Sequence, residues 1–70
     1  MNYAELKQAI ATAAKTSRSA ISLYNTLSTA RSAAFRGAKP ERVMMTEFGY
    51  YAVVSPAIAA RLEKLGYEYA

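Results

Sequence analysis

The chain is 70 residues long, carries a net charge of +4 and contains neither Cys nor His. That length makes one domain with a thin hydrophobic core. The missing thiols and imidazoles exclude disulfides, thiolate metal centres and the usual nucleophile–base pairs.

Only Lys, Tyr or carboxylate chemistry is left to an enzyme of this composition. Lys15 lies near Ser17, but Ser and Lys in a capping region are ordinary surface residues. The three Gly are isolated, so no phosphate-cradling loop is present. None of the five carboxylates repeats at ligand spacing. A non-enzymatic protein without metal or cofactor is expected. Glu5 and polar neighbours interrupt the N-terminal apolar residues, unlike a signal peptide. No apolar run approaches the ~18 residues of a membrane span. A soluble cytoplasmic protein with no membrane contact is expected.

Charge is unevenly spread. Residues 1–40 carry Lys7, Lys15, Arg18, Arg31, Arg36 and Lys39 against Glu5 alone. Residues 41–70 carry Arg42, Arg61 and Lys64 against Glu41, Glu47, Glu63 and Glu68. The basic half suits an anionic partner, either nucleic acid or an acidic protein surface. It equally suits a solvated helical surface.

Tyr3, Leu6, Ile10 and Ala13 recur at helical spacing, which predicts a first helix from about Tyr3 to Lys15, capped by Asn2. Thr16-Ser17-Arg18-Ser19 is a polar break. Ala20, Leu23, Tyr24 and Leu27 then predict a second helix, interrupted by Asn25, Thr26, Ser28 and Thr29. Ser28 or Thr29 starts a third, short helix through Arg36, with Ala30, Ala33 and Ala34 as a small-residue face. Gly37 and Pro40 end it.

Two strand-like runs follow, Glu41–Thr46 and Tyr50–Val54, joined by Glu47-Phe48-Gly49. A three-residue hairpin loop closing on a left-handed Gly pairs Thr46 with Tyr50. That register puts Val43, Met45, Tyr51 and Val53 on one face, the expected core face. Ser55-Pro56 opens a last helix, with Ser as cap and Pro at the first position. Ile58, Leu62 and Leu65 form its stripe, and Gly66 closes it. Tyr67-Glu68-Tyr69 alternates and either extends the sheet or frays. The expected fold is α+β, three helices followed by a β-hairpin and a C-terminal helix.

The basic set Arg31, Arg36, Lys39 and Arg42 is the leading binding candidate. Its Arg side chains could pair with guanine edges or its cations with phosphate. Alternatively, these residues only solvate an Ala-rich helix. Phe35 is read first as core, with a partner anchor as the other reading. Phe48, at the turn tip beside Glu47, either contacts a partner or folds back on its own strand, and the acidic, aromatic tip suits protein contact better than phosphate binding.

Tyr51-Ala-Val-Val-Ser-Pro56 followed by Arg61-Leu-Glu-Lys-Leu-Gly66 resembles the wing strand and final helix of winged helix-turn-helix proteins. Leu6-Lys-Gln-Ala-Ile10, Lys15-Thr16, Arg36-Gly37 and Val53 through Gly66 are similar to the small T7-like phage inhibitors of host RNA polymerase carrying the stationary-phase sigma factor. The resemblance spans most of the chain. It implies a winged-helix-like fold and a phage-encoded protein that binds polymerase holoenzyme or its sigma factor in the host cytoplasm, with Arg31 and Arg36 as contacts. This chain lacks that family's Cys residues, and its turn is shorter and acidic. Two functions therefore stand: a protein that inhibits or modulates transcription machinery, and a winged-helix DNA-binding regulator on duplex DNA. A homodimer is compatible with both.

Overall fold

The computed structural model describes residues 2–36 and 39–70. Its elements are α1 (Tyr3–Ala13), β1 (Ser22–Tyr24), α2 (Leu27–Ala34), β2 (Arg42–Met45), β3 (Tyr51–Val54), α3 (Pro56–Lys64) and β4 (Glu68–Tyr69). Short 3-10 turns lie at Arg18–Ala20 and Glu47–Gly49. The class is α+β. The expected order of three helices before the hairpin is not what forms.

The correction falls on the second expected helix. Ser22–Tyr24 is a strand that pairs with β3, Leu23 lying opposite Ala52. Ile21, Tyr24, Asn25 and Thr26 are weak helix formers, and β-branched and aromatic residues suit a pleated strand. A short apolar run reads alike in both periods. The cap of α2 is Thr26 rather than Ser28 or Thr29, its side chain accepting from the Thr29 amide at 3.2 Å. The expected terminator Gly37 lies outside the described residues.

All pairings are antiparallel, in the order β1-β3-β2-β4. The hairpin register is as expected: Val43 faces Val53, Met45 faces Tyr51, and the Thr46 amide donates to the Tyr50 carbonyl at 3.0 Å. Tyr67-Glu68-Tyr69 extends the sheet, Glu68 lying opposite Met45 and Tyr69 opposite Met44.

The expected core face is corrected. Met44, Ala52 and Val54, on the other face, join Leu6, Ile10, Ile21, Ile58 and Leu62 in the main core beneath α1 and α3. Val43, Tyr51 and Val53 pack under α2 with Ala30 and Ala34. Met45 is left 40 % exposed. The sheet is thus a middle layer, and a strand buried on both faces has no polar alternation to mark one side as core. Ala30 and Ala34 bring α2 close to the strands because neither carries bulk beyond Cβ.

Asn2 caps α1, accepting from the Glu5 amide at 2.8 Å, and Ser55 caps α3, accepting from the Ile58 amide at 3.3 Å. Both helices end in paired backbone bonds of the Schellman type. In α1, the Thr16 amide reaches the Ala11 carbonyl at 3.0 Å and the Lys15 amide reaches Thr12 at 3.1 Å. In α3, the amides of Tyr67 and Gly66 reach Leu62 and Glu63, each at 3.1 Å. Gly66 takes φ 102° in this closure, but Lys15 takes φ 57° without being Gly. The Arg61 guanidinium also donates to the Ala14 carbonyl at 3.2 Å, placing a cation at the negative end of α1.

Phe48 is a second non-Gly residue with positive φ, at 60°, and is mostly exposed. A left-handed L-residue costs about 1–2 kcal/mol, partly offset in a Gly variant by the greater freedom of the unfolded chain. Lys15→Gly and Phe48→Gly are each expected to stabilise the fold by about 0.5–1 kcal/mol. Each should raise the thermal midpoint by roughly 4 °C, read by circular dichroism. A lowered midpoint for both would contradict these backbone conformations.

Candidate functional site

The inward side of α2 is fixed by Ala30, Ala33 and Ala34 against β3 and its neighbours. The opposite side presents Ser28, Arg31, Ser32 and Phe35, and Arg36 follows in the turn. Arg31 and Phe35 are four residues apart and so stand one above the other. Phe35 is 77 % exposed. The reading of Phe35 as core is therefore corrected: the core under α2 is filled by Tyr24, Val43, Tyr51 and Val53 instead. An apolar ring in water beside two Arg residues is the composition of an interface anchor.

The other two residues of the basic set are placed differently. Lys39 is exposed in the connection from α2 to β2, and the Glu41 amide ties the end of that connection to the Ala34 carbonyl at 3.3 Å. Arg42 opens β2 opposite Val54. Residues two apart in a strand share a face, so Arg42 lies on the Met44 side, away from α2. Arg31, Phe35 and Arg36 are all exposed at the outer side and end of α2, Lys39 is exposed further along the connection, and Arg42 is turned to the other sheet face.

The hairpin tip is a second distinctive surface. The Thr46 hydroxyl donates to the Tyr50 carbonyl at 2.8 Å and to the Glu47 carbonyl at 3.3 Å, which locks the turn. The Tyr67 hydroxyl donates to Glu47 Oε1 at 3.4 Å. Burial raises the Tyr67 pKa above its ordinary value, and the negative charge and hydrogen bond of Glu47 raise it further. Deprotonation would set two anions against one another, so this contact persists at neutral pH. Tyr3 meets Tyr50 edge to face at 5.8 Å behind the hairpin.

Sequence reasoning missed the Tyr67–Glu47 contact and the surface around Leu65. The expected stripe of α3 is corrected at one of its three members: Ile58 and Leu62 are buried, but Leu65 is 54 % exposed. Its position directly before the closing Gly66 carried a signal, because the chain leaves the helix direction there. Among the described residues no helix is long and apolar enough to cross a membrane. No known family, characterised protein or solved structure matches the chain.

Proposed function

We propose that this chain is a small non-enzymatic protein, phage-encoded and acting in the host cytoplasm, that binds transcription machinery and inhibits or modulates it. The outer face of α2 is the contact surface. The observation that carries this reading is Phe35, 77 % exposed and flanked by Arg31 and Arg36. Exposing a large ring costs solvation free energy that binding recovers. Arg side chains beside it match an acidic protein surface through charge-assisted hydrogen bonds. The choice of RNA polymerase holoenzyme or its sigma factor as target rests on the sequence resemblance alone.

Kinship with winged helices belongs to the same proposal. It rests on the hairpin that runs through Ser55-Pro56 into α3. The DNA-binding alternative draws on the exposed Arg31, Arg36 and Lys39. Against it, a strand replaces the middle helix, and α2 sits on the sheet face opposite α1 and α3. A helix-turn-helix reader needs a companion helix across the backbone. The hairpin tip also offers Glu47 and Phe48 where a phosphate-binding wing would carry cations.

Transcription assays with purified RNA polymerase, with and without the stationary-phase sigma factor, test the proposal. Inhibition of at least one holoenzyme, without duplex-DNA binding at low salt, is the expected result. Tight duplex binding that falls steeply with salt, with no effect on polymerase, would sink it in favour of the regulator.

A further inference from the structure

Two grooves of opposite charge meet at Leu65. One, of about 330 Å³, is lined by Ala13, Ala14, Lys15, Arg61, Lys64 and Leu65. The other, of about 220 Å³, is lined by Glu47, Leu65, Gly66 and Tyr67. It continues into a cleft of about 230 Å³ that adds Met45, Thr46 and Glu68. The first lining holds three cations and no carboxylate; the second and its continuation hold Glu47 and Glu68 and no cation. Arg61 is engaged with the Ala14 carbonyl, while Lys15 and Lys64 are exposed. Tyr67 holds the Glu47 carboxylate at the cleft.

We propose that this surface binds a second copy of the same chain across a twofold axis near Leu65. A twofold interface must be self-complementary: what one copy presents as i, the other receives as j, and the reverse. Basic groove, apolar residue and acidic cleft in a row meet that requirement. Rotation about the middle residue sets Leu65 on Leu65 and each basic groove on the other copy's acidic cleft. A uniformly acidic or basic partner would satisfy one groove and be repelled by the other. Twelve residues line these depressions, against about 20–30 a side in a standard interface, so association is weak and concentration-dependent. No α2 residue lines either groove, and the dimer displays two α2 faces.

Sedimentation equilibrium at low ionic strength, from about 10 µM to about 1 mM protein, tests this. The wild-type chain should pass from monomer to dimer over that range, and salt should reverse it. Lys64→Glu and Glu47→Lys should each weaken self-association at least about tenfold, because each sets like charges across the axis twice. Mixed in equal amounts, the two variants should associate with each other as the wild type does, since both cross-axis contacts are then attractive. Circular dichroism checks each fold, and Glu68→Lys replaces Glu47→Lys if loss of the Tyr67 hydrogen bond unfolds it. A wild type monomeric throughout, single variants that dimerise normally, or a mixture that fails to associate would each overturn the proposal. Arg31→Glu/Arg36→Glu should dimerise like the wild type, which separates failure here from failure of the α2 reading.

Discussion

Leu62→Ala is expected to destabilise the fold by about 3 kcal/mol, a large part of what so small a domain possesses. Leu62 is fully buried in the cluster that joins α1, α3 and the inner sheet face through Leu6, Ile10, Ile21, Met44 and Val54. Truncation removes both transfer free energy and packing, and rigid strands on one side limit how far the cavity can collapse. Leu65→Ala, three residues on, is the internal comparison. Its side chain is half in water, so in dilute protein the loss should stay below about 0.5 kcal/mol. Urea unfolding followed by circular dichroism measures both. Equal midpoints for the two variants would mean that α3 is not seated as described.

The contrast between these leucines shows what local pattern carries and what it does not. Ser55-Pro56 and Gly66 mark both ends of α3, because capping and left-handed closure are short-range chemistry. Gly49 and the flanking strands fixed the hairpin register for the same reason. The stripe of Ile58, Leu62 and Leu65 was legible, but its last member was not, because the turn at Gly66 carries the chain off the core. Residues 20–27 misled because Ile21, Leu23 and Tyr24 fit a helix stripe and a buried strand equally. The choice was made by β3, whose backbone groups pair with β1. The two-sided sheet was also hidden: Val43 and Val53 look like the only core face until Met44, Ala52 and Val54 find α1 and α3.

The candidate site divides in the same way. Arg31 and Arg36 were legible as surface once Ala30, Ala33 and Ala34 were seen to form the inner side of one helix. Phe35 was not, since an isolated Phe in a small protein is ordinarily core. Lys39 and Arg42 are close to that helix in sequence, but strand parity turns Arg42 to the far face. The Leu65 surface is assembled from Lys15, Glu47, Arg61 and residues 64–68, which only the tertiary fold brings together.

If the α2 face binds a protein target as proposed, Arg31→Glu/Arg36→Glu is expected to weaken that binding at least 100-fold, about 2.8 kcal/mol, with the fold retained. Both residues are exposed, so neither guanidinium is seated in the core. The cost to stability is confined to placing anions near the C-terminal end of α2, about 0.3–1 kcal/mol each. Across an acidic interface, by contrast, each reversal replaces attraction by repulsion in a partly desolvated setting. Phe35→Ala separates anchor from core on a different axis. A core Phe would cost about 3–5 kcal/mol of stability when truncated. At 77 % exposure the expected loss of stability is below about 0.5 kcal/mol, whereas binding should weaken at least tenfold. Titration of labelled protein against purified holoenzyme gives the affinities, and thermal melts give the stabilities. Were both variants to inhibit transcription as the parent does, the α2 face would lose its assignment. Were Phe35→Ala to unfold while the double Arg variant bound normally, the ring would belong to the core after all and the outer face of α2 would be a solvated surface.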